Sequence, residues 1–171
     1  MGPCFRRDDG EIDLMIAPTS LSRTPLSTVS ANTIVSSLLT VETLRAGFVD
    51  LTAEVARFAG DAGAQEGAVT LFIRHTSASL TIQENADPSV LDDLMMALGR
   101  LAPEDAGWSH DTEGPDDMPA HVKTMLTATS LQIPVLKGEL TLGTWQAIYL
   151  IEHRSRPHRR EIVLQFAGER A

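Results

Sequence analysis

Residues 143 to 154 read GTWQAIYLIEHR. Taken by twos, Trp145, Ala147, Tyr149, Ile151 and His153 fall on one side of a strand, and Gln146, Ile148, Leu150 and Glu152 on the other. The middle of both sides is apolar, the pattern of a strand covered on both faces rather than one with a wet side. Gln146 at one end and Glu152 at the other are polar residues bracketing an apolar run, and the fold has to account for them.

The rest of the folded part begins near Asn32. TIVSSLLTVETL is rich in β-branched residues and reads as strand. GFVDLTAEVARFAGDAG reads as helix, with Asp50 or Thr52 as N-cap and Gly60 or Gly63 near its end. GAVTLFIRHTSASLTIQEN gives a strand through Ile73 and a second through Leu80 and Ile82. In ADPSVLDDLMMALGRLAP, Asp87 caps a helix that Pro88 opens. Its stripe of Val90, Leu91, Leu94, Met95, Leu98 and Leu101 is expected to be buried. A long polar loop, EDAGWSHDTEGPDDM, precedes a helix that has Pro119 near its start, and polar loops of that length are often functional. Strands are expected around Leu131 to Val135, Leu140 to Glu152 and through REIVLQFAG, with EHRSRPHRR as the hairpin tip between the last two. Strands and helices alternate without a regular βαβ beat. The class is therefore α+β, a single compact domain of mixed or antiparallel sheets and about three helices.

Residues 1–28 contain APTSLSRTPLSTVS, rich in Ser, Thr and Pro without apolar period, and read as a flexible N-terminal tail. The domain then runs over 29–171. The 14 Lys and Arg against 23 Asp and Glu give a net charge of -9, which argues against generic binding to nucleic acid or an anionic membrane surface. A single cysteine, Cys4, excludes an intrachain disulfide framework and a Cys-rich zinc site. No apolar run approaches the roughly 20 residues of a membrane span, and the N-terminus lacks the apolar core of a signal peptide, so a cytoplasmic protein is expected.

Three of the five histidines sit at suggestive places: His75 ends an apolar strand, His110 lies in the polar loop, and His121 lies near a helix start. Imidazoles from separate elements can close on one divalent metal and leave a position for water or phosphate. Taken singly, each reads more readily as an ordinary histidine than as a ligand. Glu84 and Asn85 end a strand and could act as general base and substrate anchor, or could simply satisfy the turn before Asp87. Asp116 and Asp117 read as a capping and solvation pair. The basic stretch holds Arg154, Arg156, Arg159 and Arg160, and guanidinium forks match phosphate oxygens. No Gly-rich phosphate loop is present.

HTSASLTIQENADPSV, HDTEGPDDMPAHVK, SLQIPVLKGELTLGTWQAIYLIEHR and REIVLQFAGE together resemble the YjbQ-like family, described as secondary thiamine-phosphate synthases, from about Thr33 to Glu169. The resemblance implies a homotrimer and a divalent metal on His75, His110 and His121, namely zinc, or magnesium with a diphosphate substrate. It implies catalytic roles for Glu84 and Asn85, and binding of a phosphorylated small molecule by Arg154, Arg160, Thr144 and Gln146. The implied reaction is a transfer in which a thiazole phosphate nitrogen attacks the methylene of a pyrimidine diphosphate and diphosphate leaves. Metal and arginines would neutralise the departing charge. The rival expectations are a metal-dependent hydrolase of phosphorylated small molecules and a non-catalytic metabolite-binding trimer.

Overall fold

The computed structural model describes residues 23–171. The tail expectation lies outside them as far as residue 22; residues 23–32 are exposed and without regular structure. The elements are β1 (Thr33–Thr43), β2 (Gly47–Asp50), α1 (Thr52–Asp61), β3 (Ala64–Ile73), β4 (Ala78–Glu84), α2 (Pro88–Leu101), α3 (Asp117–Leu126), β5 (Ser130–Leu136), β6 (Glu139–Leu140), β7 (Gln146–Glu152) and β8 (His158–Arg170). They form one five-stranded sheet in the order β1-β8-β3-β5-β6 and one three-stranded sheet in the order β2-β7-β4, every pairing antiparallel. The α+β expectation holds.

One apolar cluster draws on both sheets and on α1. Val69, Leu71 and Ile73 of β3 and Ile162, Leu164 and Phe166 of β8 meet Leu80, Ile148 and Leu150 of the smaller sheet, with Val55 and Phe58 of α1. The alternation along β3 and β8 fixes which face turns inward. β7 is the central strand of its sheet and is buried from Ala147 to Glu152, as its two-faced apolar pattern requires. α3 lies against β4, where Thr127 just past the helix bonds Ser79 at 2.7 Å.

Several local expectations are corrected. Gly47–Asp50 is a strand paired with Leu150 and its neighbours, not the first turn of a helix. Leu51 occupies the N-cap of α1 without a side-chain cap, while Asp50 accepts from the Thr52 N–H at 2.8 Å. The expected strand over 140–152 is two, β6 and β7. α2 is capped as expected, with Asp87 accepting from the Ser89 N–H at 2.9 Å, but none of its residues is buried. Its stripe is half-covered from Val90 to Leu98 and exposed at Leu101; among the described residues α2 packs chiefly against α3. Finally, β7 and β8 lie in different sheets, so residues 153–157 are a crossover and not a hairpin tip.

A second crossover, residues 74–77, leads from β3 to β4. Both crossovers lie at the same end of the two sheets: Ala78 pairs with Glu152, and the Arg74 N–H donates to the Glu161 carbonyl at 3.0 Å.

Candidate metal centre

At that end, His110 from the polar loop and Asp117 and His121 from α3 each offer one ligand atom, and the three atoms lie within 4.8 Å of one another. Asp117 Oδ2 is 2.9 Å from His110 Nε2 and 3.8 Å from His121 Nε2. The imidazole rings are 5.6 Å apart between centroids. Asp117 and His121 stand four residues apart on one helix, the spacing that stacks side chains on one face. That spacing was legible in the sequence, but the Asp116–Asp117 pair reads there as a cap, and so the carboxylate member of the cluster was missed.

α3 begins at Asp117, which places His121 in its second turn. The helix dipole fades within the first turn, so it does little to this imidazole. A hydrogen bond sets the tautomer instead. His121 Nδ1 lies 3.0 Å from the Thr76 carbonyl, which can only accept, so the neutral ring donates from Nδ1 and turns the Nε2 lone pair towards Asp117 and His110.

His75 is not one of the three. Its Nε2 accepts the Glu161 backbone N–H at 2.9 Å, so the neutral ring carries its proton on Nδ1 and has no free lone pair for a cation. Burial, then the charge of Arg160, lowers its pKa against the opposing pull of Glu161 and Glu152, which favours that neutral ring. His75 nonetheless borders the cleft beside the cluster. It shares with His121, Thr76, Thr124, Met125, Thr127 and Thr129 the lining of a cavity of about 470 Å³.

The two arginines expected to bind substrate are buried and committed to carboxylates. Arg160 donates from Nε to Glu152 Oε2 at 2.7 Å and from Nη2 to Oε1 at 2.6 Å. Arg154 donates from Nη1 to Asp117 Oδ1 and from Nη2 to the Glu113 carbonyl at 2.8 Å. Asp116 accepts from the Ser155 N–H and hydroxyl at 2.7 and 2.8 Å. Burial pushes the Asp116 carboxyl up, but the Ser155 hydrogen bonds and the Arg154 charge outweigh it and leave it below its ordinary range. Arg156 and Arg159 are exposed.

Glu84, Asn85, Thr144 and Gln146 lie elsewhere. β4 pairs Ala78 with Glu152 at the cluster end and Glu84 with Gln146 at the other, so six residue steps, about 20 Å, separate the two groups within one chain. Gln146 Oε1 accepts the Gly143 N–H at 2.8 Å, and the Asn85 N–H donates to the Trp145 carbonyl at 3.1 Å. Gln146 thus closes the turn that starts β7, and Glu152 receives a buried arginine at its finish.

A family model described as UPF0047 protein YjbQ-like matches residues 37–169. The UPF0047 protein sll1880 of Synechocystis is 56% identical over 108 residues, covering 63% of this chain and 74% of that protein. YjbQ of Salmonella typhimurium is 42% identical over 124 residues, covering 72% of this chain and 90% of that one. Among solved structures, the hypothetical protein APE1520 of Aeropyrum pernix aligns with a TM-score of 0.73 at 28% identity, over 79% of this chain and 99% of that one. A YbjQ-like protein of Sulfolobus solfataricus, described as of unknown function, aligns with a TM-score of 0.72 at 22% identity, over 80% and 100%.

These relatives correct the expected activity. They are known by family alone or as of unknown function, and none is named for thiamine-phosphate synthesis. The structure adds a physical objection. Arg154 and Arg160, assigned to neutralise a leaving diphosphate, are already neutralised by Asp117 and Glu152.

Proposed function

The chain belongs to the YjbQ-like UPF0047 family, and from there we propose that His110, Asp117 and His121 hold one divalent cation, which takes an oxygen ligand from solution. The observation that carries this reading is the convergence of the three ligand atoms within 4.8 Å. Ligands about 2.0–2.2 Å from one zinc ion lie roughly 3–4 Å apart, so closing the cluster on a cation takes shifts within side-chain reach. Two imidazoles and a carboxylate are a zinc set; magnesium prefers oxygen alone.

Three protein ligands leave a fourth position for water or an anionic oxygen, and a cation there polarises that ligand. His75 lines the adjoining cleft with a ring proton on Nδ1 to donate, a complement to an oxyanion. Small oxyanionic metabolites are accordingly the proposed ligands. A homotrimer belongs to the same proposal. It is supported by the family resemblance and by the apolar side chains that α2 and α3 leave uncovered, Leu101, Met125 and Leu126 among them.

The test is calorimetric. Chelator-stripped protein should bind one zinc per chain, and His121→Ala should lose most of that affinity. Zinc-loaded protein should then bind inorganic phosphate. A stripped protein that takes up no zinc would leave the cluster as an ion-pair network only.

A further inference from the structure

We infer that Arg154 is the positioning residue that makes Asp117 a one-oxygen metal ligand, an inference that rests on the cation reading above. Asp117 has two oxygens with different partners. Oδ2 faces the imidazoles of His110 and His121, and Oδ1 receives Arg154 Nη1. A carboxylate free on both oxygens can bite a cation with either or both. One whose Oδ1 is held by a charged donor presents Oδ2 alone, in a fixed direction.

Arg154 is itself held on every side. Its side chain is 7% exposed. Nη2 donates to the Glu113 carbonyl at 2.8 Å, and Nε lies 3.3 Å from Asp116 Oδ1, a charge contact without hydrogen-bond alignment. Its backbone N–H donates to Glu152 Oε1 at 2.9 Å. Glu152 is fully buried and gripped by Arg160 and by the Thr43 hydroxyl at 2.8 Å. The guanidinium therefore transmits the rigidity of the sheet's end to the one carboxylate of the cluster. It also places a fixed positive charge beside the cation, balanced by Asp116 and by Asp117 itself. Lysine could supply the charge but not the fork that reaches Asp117 and the Glu113 carbonyl together.

The experiment uses the full chain, stripped with chelator, then titrated with zinc and in parallel loaded with cobalt. Arg154→Lys and Arg154→Gln are compared with wild type, and Arg156→Gln, on the exposed part of the crossover, is the control. Loss of the outer partner should lower zinc affinity roughly 10–100-fold. The cobalt d–d absorption should weaken as Asp117 turns bidentate and the coordination number rises. A merely structural role would lower stability and leave that spectrum unchanged in the folded fraction. Zinc affinity and cobalt spectrum equal to wild type in a folded Arg154→Lys protein overturn the inference while leaving the cation reading intact. Wild type that binds neither metal overturns the cation reading, and the inference with it. Should both variants fail to fold, wild type still decides. In cobalt-loaded protein the Arg154 guanidinium protons must be slow to exchange and paramagnetically shifted, and protons that exchange freely at unshifted positions overturn the inference.

Discussion

Glu152 and Arg160 form a bidentate ion pair that solvent scarcely touches, with Oε1 2.6 Å from Nη2 and Oε2 2.7 Å from Nε. The Thr43 hydroxyl and the Arg154 N–H complete the carboxylate's hydrogen bonds. Burial pushes the Glu152 carboxyl up, yet the hydrogen bonds from Arg160, Arg154 and Thr43 and the charge of Arg160 outweigh it and hold it below its ordinary value. Removing one partner of such a pair strands a buried charge, at a cost of about 3–5 kcal/mol. Glu152→Gln should therefore destabilise the protein by that order, measured by urea denaturation. A loss below about 1 kcal/mol would show that the pair reorganises at little cost.

His153 should make folding stability depend on pH. Its Nε2 lies 2.8 Å from the Ser79 hydroxyl, and its Nδ1 is buried without a partner among the described residues. Burial first, then the charges of Lys123 and Arg160, lower its pKa to about 4 against the opposing pull of Glu152. A folded pKa below the unfolded value of 6.5 means that the unfolded chain takes up the proton first. The stabilisation is complete above pH 6.5 and is lost as pH falls towards 4, by about 3 kcal/mol at most. Denaturation midpoints recorded across that window should fall in wild type and flatten in His153→Gln. Parallel slopes would refute the assignment.

Zinc affinity should sort the histidines. His110→Ala and His121→Ala should each weaken binding at least tenfold. His75→Ala should change it only a few-fold, because Nε2 of His75 already serves the Glu161 N–H. His158, whose Nδ1 faces the Arg156 carbonyl at 2.8 Å, is the control. Competition with a chromophoric chelator gives all four values. A His75 variant as weak as the His121 variant would bring His75 into the coordination shell.

Self-association should run through α2 and α3. Leu101 is 66% and Met125 85% exposed, and both continue apolar faces. Light scattering on wild type should give a trimer, and the pair Leu101→Asp and Met125→Asp should shift it towards monomer. Wild type that scatters as a monomer at micromolar concentration defeats the expectation.

Where periodicity was strong, the sequence disclosed the fold. The two-faced run from Ala147 to Ile151 is buried, and Asp87 and Pro88 open α2 as their chemistry requires. Pairing partners were not legible. Nothing local tells that β7 and β8 join different sheets, so Arg154 and Arg160, expected to bind a phosphorylated substrate from a hairpin tip, are among the best-buried charges. Gly47–Asp50 was hidden for a related reason: four residues carry too little pattern, and their strand character comes from β7. Of the cluster, His110 and His121 stood out by residue type, whereas Asp117 needed the helix register to separate it from Asp116.

The place of β8 in its sheet has a temporal consequence. Among the described residues β1 is hydrogen-bonded to β8 alone, and β3 lies on β8's other side. Among the described residues, 33–43 consequently wait for their strand partner until residues 158–170 exist, although they emerge more than a hundred residues earlier. The β3–β5 ladder can form first, with one edge of β3 open in the meantime. Closure waits on contacts of very long sequence separation, which predicts slow folding and a nascent chain that is prone to pair with its neighbours before it can pair with itself.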